Sequence, residues 1–224
     1  MNIYETKGIK KYLTKTKNPT FDRTQIELNS RILIVGASGS GKTNALANYL
    51  VESPNTFAKI HIVYKDSQPI YDLMKEQLKK SVEFYTSPAN LPSLSDLRKD
   101  QEKEDNVLVV IDDWVDQAHK FPNMSDIFLR GRKFVTIIFI SQSYYQVPKF
   151  WRSQLTYLIL LKLSSDKDLK LVLSDFSLGL EANQLVKLHS EATSKKFSFF
   201  KLDINSSDVN KKYSKNFKDF FKIE

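Results

Sequence analysis

The stretch GASGSGKT, which runs from Gly36 to Thr43, constrains the fold of this 224-residue chain more than any other feature. Its spacing is that of a phosphate-binding loop: a glycine, four further residues, and then Gly-Lys-Thr. An apolar run from Arg31 to Val35 precedes the loop, and a helical pattern from Lys42 to about Val51 follows it. Because strand, loop and helix come in this order, the sequence favours a nucleotide site over a chance glycine-serine turn.

Each residue type in the loop has a physical role in phosphate binding. Glycines let backbone N–H groups surround the phosphates, and the start of the following helix adds partial positive charge. We expect Lys42 to contact the β- and γ-phosphates and the Thr43 hydroxyl to coordinate Mg²⁺. The residues predicted to bind the nucleotide are Gly36, Ala37, Ser38, Gly39, Ser40, Gly41, Lys42, Thr43 and Asn44.

Two carboxylates follow the apolar run VLVVI, whose composition is typical of a strand buried on both faces. Asp112 is predicted to hold Mg²⁺, and Asp113 to orient and deprotonate the attacking water. A helix cap is the alternative for either residue. Many ATPases place a glutamate at the second position, and aspartate is one methylene shorter, so whether Asp113 reaches the water is left open.

A third polar element ends the apolar run from Phe134 to Ile140, which is followed by Ser141 and Gln142. In ATPases of the additional-strand type, such a strand lies between the phosphate-loop strand and the Asp strand. Ligands bind outside the carboxyl ends of parallel strands, so Gln142 is expected to sense the γ-phosphate or to position water. A strand-ending turn without nucleotide contact is the alternative.

The rest of the chain alternates between apolar runs and helical patterns, which predicts an α/β domain with a mainly parallel sheet flanked by helices. Further strands are expected at Lys59–Tyr64, Val82–Thr86, Asn106–Ile111 and Tyr157–Leu163. Helices are expected near Gln68–Leu78, Asp166–Leu173 and Leu180–His189. The segment from Phe197 to Ile204 is expected to close the sheet or to hairpin back onto it.

Three regions are predicted along the chain. They are a basic N-terminal segment at residues 1–25, a phosphate-loop ATPase domain at 26–204, and a polar, basic tail at 205–224. In the tail, Tyr213, Phe217 and Phe220 are spaced for one face of a short helix. That helix is expected to pack on the domain or to dock onto another subunit.

The chain carries a formal net charge of +8, and the excess of lysine lies largely at its two ends. A basic surface favours nucleic acid or another polyanion as a partner, although lysine-rich ends can also serve solubility alone. The absence of cysteine excludes disulfides and thiolate metal sites. No apolar run reaches the ~20 residues that span a bilayer, and the N-terminus lacks a signal peptide's apolar core, so an intracellular protein is expected.

Four stretches together resemble the FtsK/HerA superfamily: GASGSGKT, VVIDDW, LRGRKFVTIIFISQSYYQVPKFWR and YLILLK. Within it they resemble the poxvirus-type genome-packaging ATPases of large DNA viruses, virophages and related elements. That branch has a Gly-Arg element, a strand ending in Ser-Gln, a Val-Pro segment and an arginine. Here these are Gly131-Arg132, Ser141-Gln142, Val147-Pro148 and Arg152. The resemblance covers most of the core and implies a P-loop NTPase of the RecA/FtsK-like, additional-strand type.

The resemblance implies an oligomeric ring, a pentamer or hexamer, that hydrolyses ATP with Mg²⁺ and moves double-stranded DNA into a preformed capsid. Capsid or portal-vertex proteins are the implied protein partners, with no membrane. The implied location is the host-cell cytoplasm, at a viral factory, or the virion. The alternatives are a nucleotide-dependent assembly switch and a non-packaging DNA translocase of the same superfamily. A small-molecule kinase is disfavoured because nothing in the sequence resembles a lid or an acceptor site.

The family also implies an arginine finger, a guanidinium that one subunit inserts into its neighbour's active site. By position, Arg132 is the first candidate and Arg130 the second, while Arg152 is the third and could equally act in cis. A surface ion pair is the alternative for each arginine. Two positions depart from the family pattern. Asp113 stands in place of the usual glutamate, and Lys133 in place of the histidine often seen after Gly-Arg.

Overall fold

The computed structural model describes residues 18–78, 81–101 and 106–223. Most of the predicted basic N-terminal segment, residues 1–17, lies outside the described residues. Within the described ranges, no helix is long and apolar enough to span a membrane.

A nine-stranded sheet organises the chain, with the spatial order β3-β2-β4-β5-β1-β6-β7-β8-β9. Its first six strands along the chain pair in parallel, and the last three join antiparallel at one edge. This confirms the predicted α/β class with a mainly parallel sheet. The strands are β1 (Arg31–Val35), β2 (Lys59–Tyr64), β3 (Val82–Tyr85), β4 (Val107–Asp112), β5 (Val135–Ser141), β6 (Tyr157–Leu160), β7 (Phe200–Asp203), β8 (Tyr213–Lys215) and β9 (Asp219–Phe220).

The helices connect these strands and cover both faces of the sheet. They are α1 (Phe21–Thr24), α2 (Lys42–Glu52), α3 (Pro69–Leu78), α4 (Leu94–Gln101), α5 (Pro122–Arg130), α6 (Lys149–Arg152), α7 (Lys167–Asp175), α8 (Ala182–Ala192) and α9 (Val209–Lys212). Short 3₁₀ turns lie at Pro88–Asn90, Val115–Lys120 and Gly131–Lys133. The predicted helices correspond to α2, α3, α7 and α8, while α1, α4, α5, α6 and α9 were not predicted.

Side-chain alternation along the central strands divides the core into two layers. In β1, Leu33 and Val35 belong to the layer covered by α4, α5, α7 and α8. Ile32 and Ile34 belong to the layer covered by α2 and α3. Because helices bury both faces, every residue of β1, β4 and β5 is buried, which explains their nearly continuous apolar sequences.

The position of β5 confirms the additional-strand prediction. β5 pairs in parallel with β1 on one side and with β4 on the other. In this register Val35 lies opposite Ser141, and Asp112 lies opposite Ile140. The carboxyl ends of the three central strands therefore lie side by side at one edge of the sheet.

The short helix predicted from Tyr213, Phe217 and Phe220 is wrong. Tyr213 begins β8, which pairs antiparallel with β7, and Phe220 ends β9. Tyr213 is fully buried and its ring stacks on Phe200. Without β8, β7 would leave a row of unpaired backbone groups at the sheet edge. Pairing with that edge, which is distant in sequence, outweighs the local helical spacing.

Candidate active site

The phosphate loop, the end of β4 and the end of β5 converge on one cleft of about 560 Å³. The cleft brings together most of the nucleotide, metal and catalytic residues that the sequence predicts. It also contains four residues that the sequence analysis did not name: Asp66, Gln68, Pro69 and Ile70. Its lining consists of these and of Ser38, Gly39, Gly41, Lys42, Thr43, Asn44, Asp112, Asp113 and Gln142.

The loop itself has the backbone that its glycines permit. Gly39 and Gly41 have φ values of 71° and 100°, a left-handed conformation that side chains with a Cβ rarely adopt. The Lys42 ammonium folds back over the loop and donates to the carbonyls of Gly36 at 3.0 Å and Ala37 at 3.2 Å. Burial lowers the pKa of Lys42, and the nearby Asp113 and Asp112 carboxylates oppose that shift. The lysine is thus held at the loop by backbone oxygens and faces two carboxylates.

The two predicted metal ligands are joined through side chains at the start of α3. The Thr43 hydroxyl donates to Gln68 Oε1 at 2.6 Å, and Gln68 Nε2 lies 3.4 Å from Asp112 Oδ2. Tyr71 OH donates to the same carboxylate oxygen at 2.5 Å. One end of one helix therefore orients both Thr43 and Asp112.

The chemistry of this pair fits Mg²⁺. A hydroxyl and a carboxylate supply the hard oxygen ligands that Mg²⁺ prefers. Burial, with a contribution from Asp113, raises the pKa of Asp112 to about 6, although Tyr71 and Lys42 act in the opposite direction. A carboxylate whose charge is disfavoured by burial gains from a cation placed beside it. Among the described residues, no cluster of three or more His, Cys, Asp or Glu side chains forms a separate metal site.

Asp113 and Gln142 form a pair at the open side of the cleft. Gln142 Nε2 donates to Asp113 Oδ2 at 3.0 Å. The Asp113 backbone has a φ of 61°, and its N–H donates to the carbonyl of Ile140 at 3.1 Å. Aspartate is one of the few residues that tolerate this left-handed conformation. The turn therefore directs the carboxylate toward the end of the neighbouring strand, where the amide contacts it.

Arg152 is not brought to the cleft. Its side chain is buried, its Nε lies 2.9 Å from Asp175 Oδ2, and its guanidinium lies 5.0 Å from the centre of the Tyr144 ring. Tyr144 also donates to Asp175 at 3.0 Å. This arrangement is a buried ion pair that fixes the segment after β5. The guanidinium of Arg152 is therefore not exposed to a neighbouring subunit.

Arg132 and Arg130 lie at the opposite end of the sheet from the cleft. Both precede β5, whereas Gln142 follows it, and a strand of seven residues rises about 20 Å. Both side chains are exposed, and Arg130 lies 3.6 Å from Asp126 in an ion pair within α5. Neither arginine can therefore contact a phosphate bound at the loop of its own chain.

Arg31, which the sequence analysis named only as the start of a strand, positions residues 130–133, the arginine segment. It is buried at the start of β1 and donates to the carbonyls of Phe128, Asn29 and Val135 at 2.8–3.2 Å. Two of these carbonyls flank the turn that contains Arg132. Burial and the charge of Arg132 lower the pKa of Arg31. No local sequence pattern marks Arg31, because its burial and its contact with Phe128 arise only in the folded chain.

Comparisons with known proteins agree with this geometry. A family model described as Poxvirus A32 protein matches residues 18–204 of the chain. No curated protein matches it. Among solved structures, the DNA-packaging ATPase B204 of Sulfolobus turreted icosahedral virus is 14% identical with a TM-score of 0.57, over 85% of this chain and 98% of that chain.

Two further structures were solved with ATP analogues. The genome-packaging NTPase B204 of Sulfolobus turreted icosahedral virus 2, with AMPPCP, is 15% identical with a TM-score of 0.54, over 86% of this chain and 98% of that chain. The conjugation coupling protein TcpA of pCW3, with ATPγS, is 16% identical with a TM-score of 0.60, over 88% of this chain and 62% of that chain. At these identities the likeness shows the fold alone, a mostly parallel α/β sheet flanked by helices.

Proposed function

The chain belongs to the Poxvirus A32 protein family, and we propose that it is an ATPase motor that drives double-stranded DNA into a preformed viral capsid. The convergence of the phosphate loop, the Asp112–Asp113 pair and Gln142 on one cleft supports this most directly. Each group lies at the carboxyl end of a parallel strand, where α/β folds bind their ligands. The cleft therefore has the donors and acceptors that ATP hydrolysis requires.

The residues divide the work of hydrolysis by position. Lys42 leaves its loop carbonyls to contact the β- and γ-phosphates, and loop N–H groups bind the remaining phosphate oxygens. Thr43 and Asp112 would hold Mg²⁺, which would supply positive charge beside the phosphates. Asp113 accepts a proton from the attacking water, and Gln142, already within 3.0 Å of that carboxylate, orients the water.

Gln68 and Tyr71 act one step further from the reaction. Each hydrogen-bonds a residue that holds the metal, so they fix the orientation of the Thr43 hydroxyl and the Asp112 carboxylate. Such partners of metal ligands typically affect metal affinity by about 10- to 100-fold. They are positioning residues and contact neither ATP nor water in this scheme.

We infer that active sites are shared in a homo-oligomeric ring of five or six chains, and the exposed position of Arg130 and Arg132 supports this. Because Arg132 and Arg130 lie about 20 Å from their own phosphate loop, either can complete only a neighbour's site. Arg132 remains the first candidate. In this proposal the ATPase domain spans residues 26–204, and the C-terminal strands contribute to subunit or capsid contacts at the portal vertex. The motor works in the infected cell or the virion.

Duplex-stimulated hydrolysis tests the motor function. ATP turnover should rise several-fold with double-stranded DNA, and DNA affinity should fall steeply with salt because lysine and arginine contact backbone phosphates. A Lys42→Ala preparation controls for contaminating ATPases. Slow turnover that ignores DNA would instead support an assembly switch. Nuclease protection of DNA added with empty capsids separates packaging from other kinds of translocation. If the ATPase is stimulated by DNA but the DNA stays unprotected, the packaging function is overturned.

A further inference from the structure

A second cavity, of about 320 Å³, opens beside the phosphate loop. It shares Gly39 with the cleft described above. Its other walls come from Ser40 of the loop, from the chain just after β6 and from the segment before β7. Together these walls carry three lysines, one aromatic ring and four hydroxyl groups. The lining residues are Gly39, Ser40, Lys162, Thr193, Ser194, Lys195, Lys196, Phe197 and Ser198.

The strand order indicates which half of a nucleotide faces this cavity. β4 and β5, which carry Asp113 and Gln142, lie on one side of β1, and β6 and β7 lie on the other. A γ-phosphate positioned for attack near Asp113 places the remainder of the nucleotide toward the opposite side of the loop. The cavity near Lys162 and Phe197 lies on that side, so the nucleoside half extends into it.

Phe197 has two features that a packing role alone does not explain. Its φ is 66°, a left-handed conformation that is costly for a bulky side chain and that often marks functional sites. Its side chain also remains 45% exposed. The ring lies directly against the loop, since a Cβ added to Gly41 would come within 2.5 Å of it. Strained backbone thus holds an exposed aromatic ring beside the phosphate loop.

We propose that Phe197 is the platform on which the purine base of the nucleotide stacks, an inference that rests on the proposed ATPase function. The Lys196 ammonium lies 4.9 Å from the centre of the same ring, so a cation already occupies one side of it. Aromatic stacking of a base contributes affinity through ring faces alone.

The cavity walls further imply that this platform does not distinguish adenine from guanine. Among the described residues, none that lines the cavity is a carboxylate that could accept the N–H groups of a guanine edge. The hydroxyls of Thr193, Ser194 and Ser198 each donate to a backbone carbonyl, at 2.6–2.8 Å, so their protons are already used. Stacking without edge contacts binds either purine, and we expect ATP and GTP affinities within about tenfold of each other.

Binding of three magnesium-loaded ligands to the full chain tests the platform: ATP, GTP and inorganic tripolyphosphate. Phe197→Leu keeps an apolar side chain against Gly41 but removes the ring. It should weaken ATP and GTP equally, by about 5- to 100-fold, and leave tripolyphosphate affinity unchanged. Phe197→Trp should retain affinity, and its added fluorescence should respond to ATP and GTP but not to tripolyphosphate. Phe150→Leu, a matched change at another exposed ring, should alter none of these affinities.

The outcomes separate this inference from the proposed function. Equal weakening of ATP and tripolyphosphate in Phe197→Leu would mean that the ring only braces the loop, and would overturn the platform. Unchanged ATP affinity, or a wild-type preference of more than about 100-fold for one purine, would overturn it as well. If wild-type protein binds none of the three ligands, the proposed ATPase function fails, and this inference with it.

Discussion

At the scale of single residues, Lys42 has one set of partners in this structure and a different set in the proposed mechanism. Its ammonium donates to the carbonyls of Gly36 and Ala37, and the proposal requires these bonds to be exchanged for bonds to phosphate oxygens when nucleotide binds. The loop backbone does not depend on them, because Gly39 and Gly41 set its conformation. Binding and turnover can therefore be separated from folding at this position.

Lys42→Ala should abolish turnover while the protein remains folded. Removing one preorganised charge from a reacting phosphoryl group costs at least about 100-fold in rate. The lysine is half-buried, and its loss should change the free energy of unfolding by only about 1 kcal/mol. Steady-state ATPase assays and chemical denaturation provide the two measurements. Wild-type turnover in a folded variant would show that the loop does not serve hydrolysis.

Asp113→Asn should retain ATP binding and lose hydrolysis. Asparagine has the same shape and also tolerates the φ of 61° at this position, so the backbone is kept while the base is lost. Gln142→Ala should behave in the same way because the amide acts on the same water. Asp113→Glu adds reach but places a less suitable residue in the left-handed turn, so only partial activity is expected. Normal hydrolysis by Asp113→Asn would place the base elsewhere.

Tyr71→Phe should weaken metal binding without disturbing the core. The ring is fully buried among Tyr64 and Phe84, and phenylalanine preserves that packing. The hydrogen bond from the Tyr71 hydroxyl to Asp112 is lost, so we expect about a tenfold lower affinity for Mg²⁺. Electron paramagnetic resonance measures the metal affinity with Mn²⁺ as a paramagnetic substitute for Mg²⁺. Tyr85→Phe is the control, because the Tyr85 hydroxyl donates to Glu83, away from the cleft. Equal affinities in both variants would count against a positioning role.

At the scale of elements, helix α8 shows how a buried histidine couples stability to pH. His189 Nε2 donates to the carbonyl of Leu161 at 2.9 Å, just after the end of β6. Burial lowers the pKa of His189 from its ordinary value, and the Leu161 carbonyl and Asp166 oppose the shift. The folded protein therefore holds this imidazole neutral at neutral pH, with its N–H donating to the carbonyl.

In His189→Gln the free energy of unfolding should fall less steeply at acid pH than in the wild type. Since the folded pKa lies below the unfolded pKa of about 6.5, the unfolded chain binds a proton first. The stability of the wild type is thus fully present above that pH and is lost as pH falls toward the folded pKa. Glutamine does not titrate and can keep a donor to Leu161. Denaturation at several pH values should show the wild-type advantage shrinking below about pH 6.5; a constant difference would contradict this linkage.

The elements also show which parts of the fold are written locally in the sequence. The central strands were predictable because both faces are buried, and so their apolar runs are uninterrupted. Helix α4, with the sequence LSDLRKDQ, was missed because Leu97 is the only buried side chain among its described residues 94–99. The tail failed for the opposite reason: a helical spacing was present, but β7 offered a paired edge that lies far away in sequence.

The candidate site divides in the same way. The phosphate loop, Asp112, Asp113 and Gln142 follow apolar runs directly, and the rule for strand ends places them together. Tyr71 lies 41 residues from Asp112, and only the pairing of β2 with β4 brings it there. Arg31 likewise depends on a contact 97 residues away, with Phe128. No local pattern predicts such partners.

At the scale of the whole molecule, the parallel sheet separates two chemistries. The groups proposed to bind phosphate lie at the carboxyl ends of the strands, and the exposed Arg130 and Arg132 lie at the amino end of β5, about 20 Å away along the strand. Buried Arg31 fixes the arginine segment to β1 through the carbonyls of Phe128 and Val135. The arginine segment is thus held in place, and it cannot reach a phosphate that is bound at the loop of the same chain. Two chains stacked head to tail can bring one end against the other.

Two inactive variants should therefore restore activity to each other. Loss of an arginine finger lowers the rate by about 10³–10⁵, so Arg132→Ala should bind ATP and assemble, yet hardly turn over. Lysine lacks the planar fork that spans phosphate oxygens, so Arg132→Lys should restore little. A Lys42→Ala chain still carries its own Arg132, and an Arg132→Ala chain still carries its own Lys42. Mixed together, they form some junctions in which an intact loop meets an intact finger, and ATPase assays of the mixture should regain part of the turnover.

The mixture needs a control that excludes a finger acting within one chain. Repeating it with Arg130→Ala in place of Arg132→Ala tests the second candidate, because both arginines lie on the same exposed segment. Wild-type turnover per chain should also fall on dilution, since monomers lack the neighbour's guanidinium. Suppose instead that both mixtures stay inactive while co-assembly is confirmed, and that diluted monomers keep full specific activity. Each chain would then hold a complete site, and the distance from Arg132 to its own loop means that another group would have to stabilise the transferring phosphate.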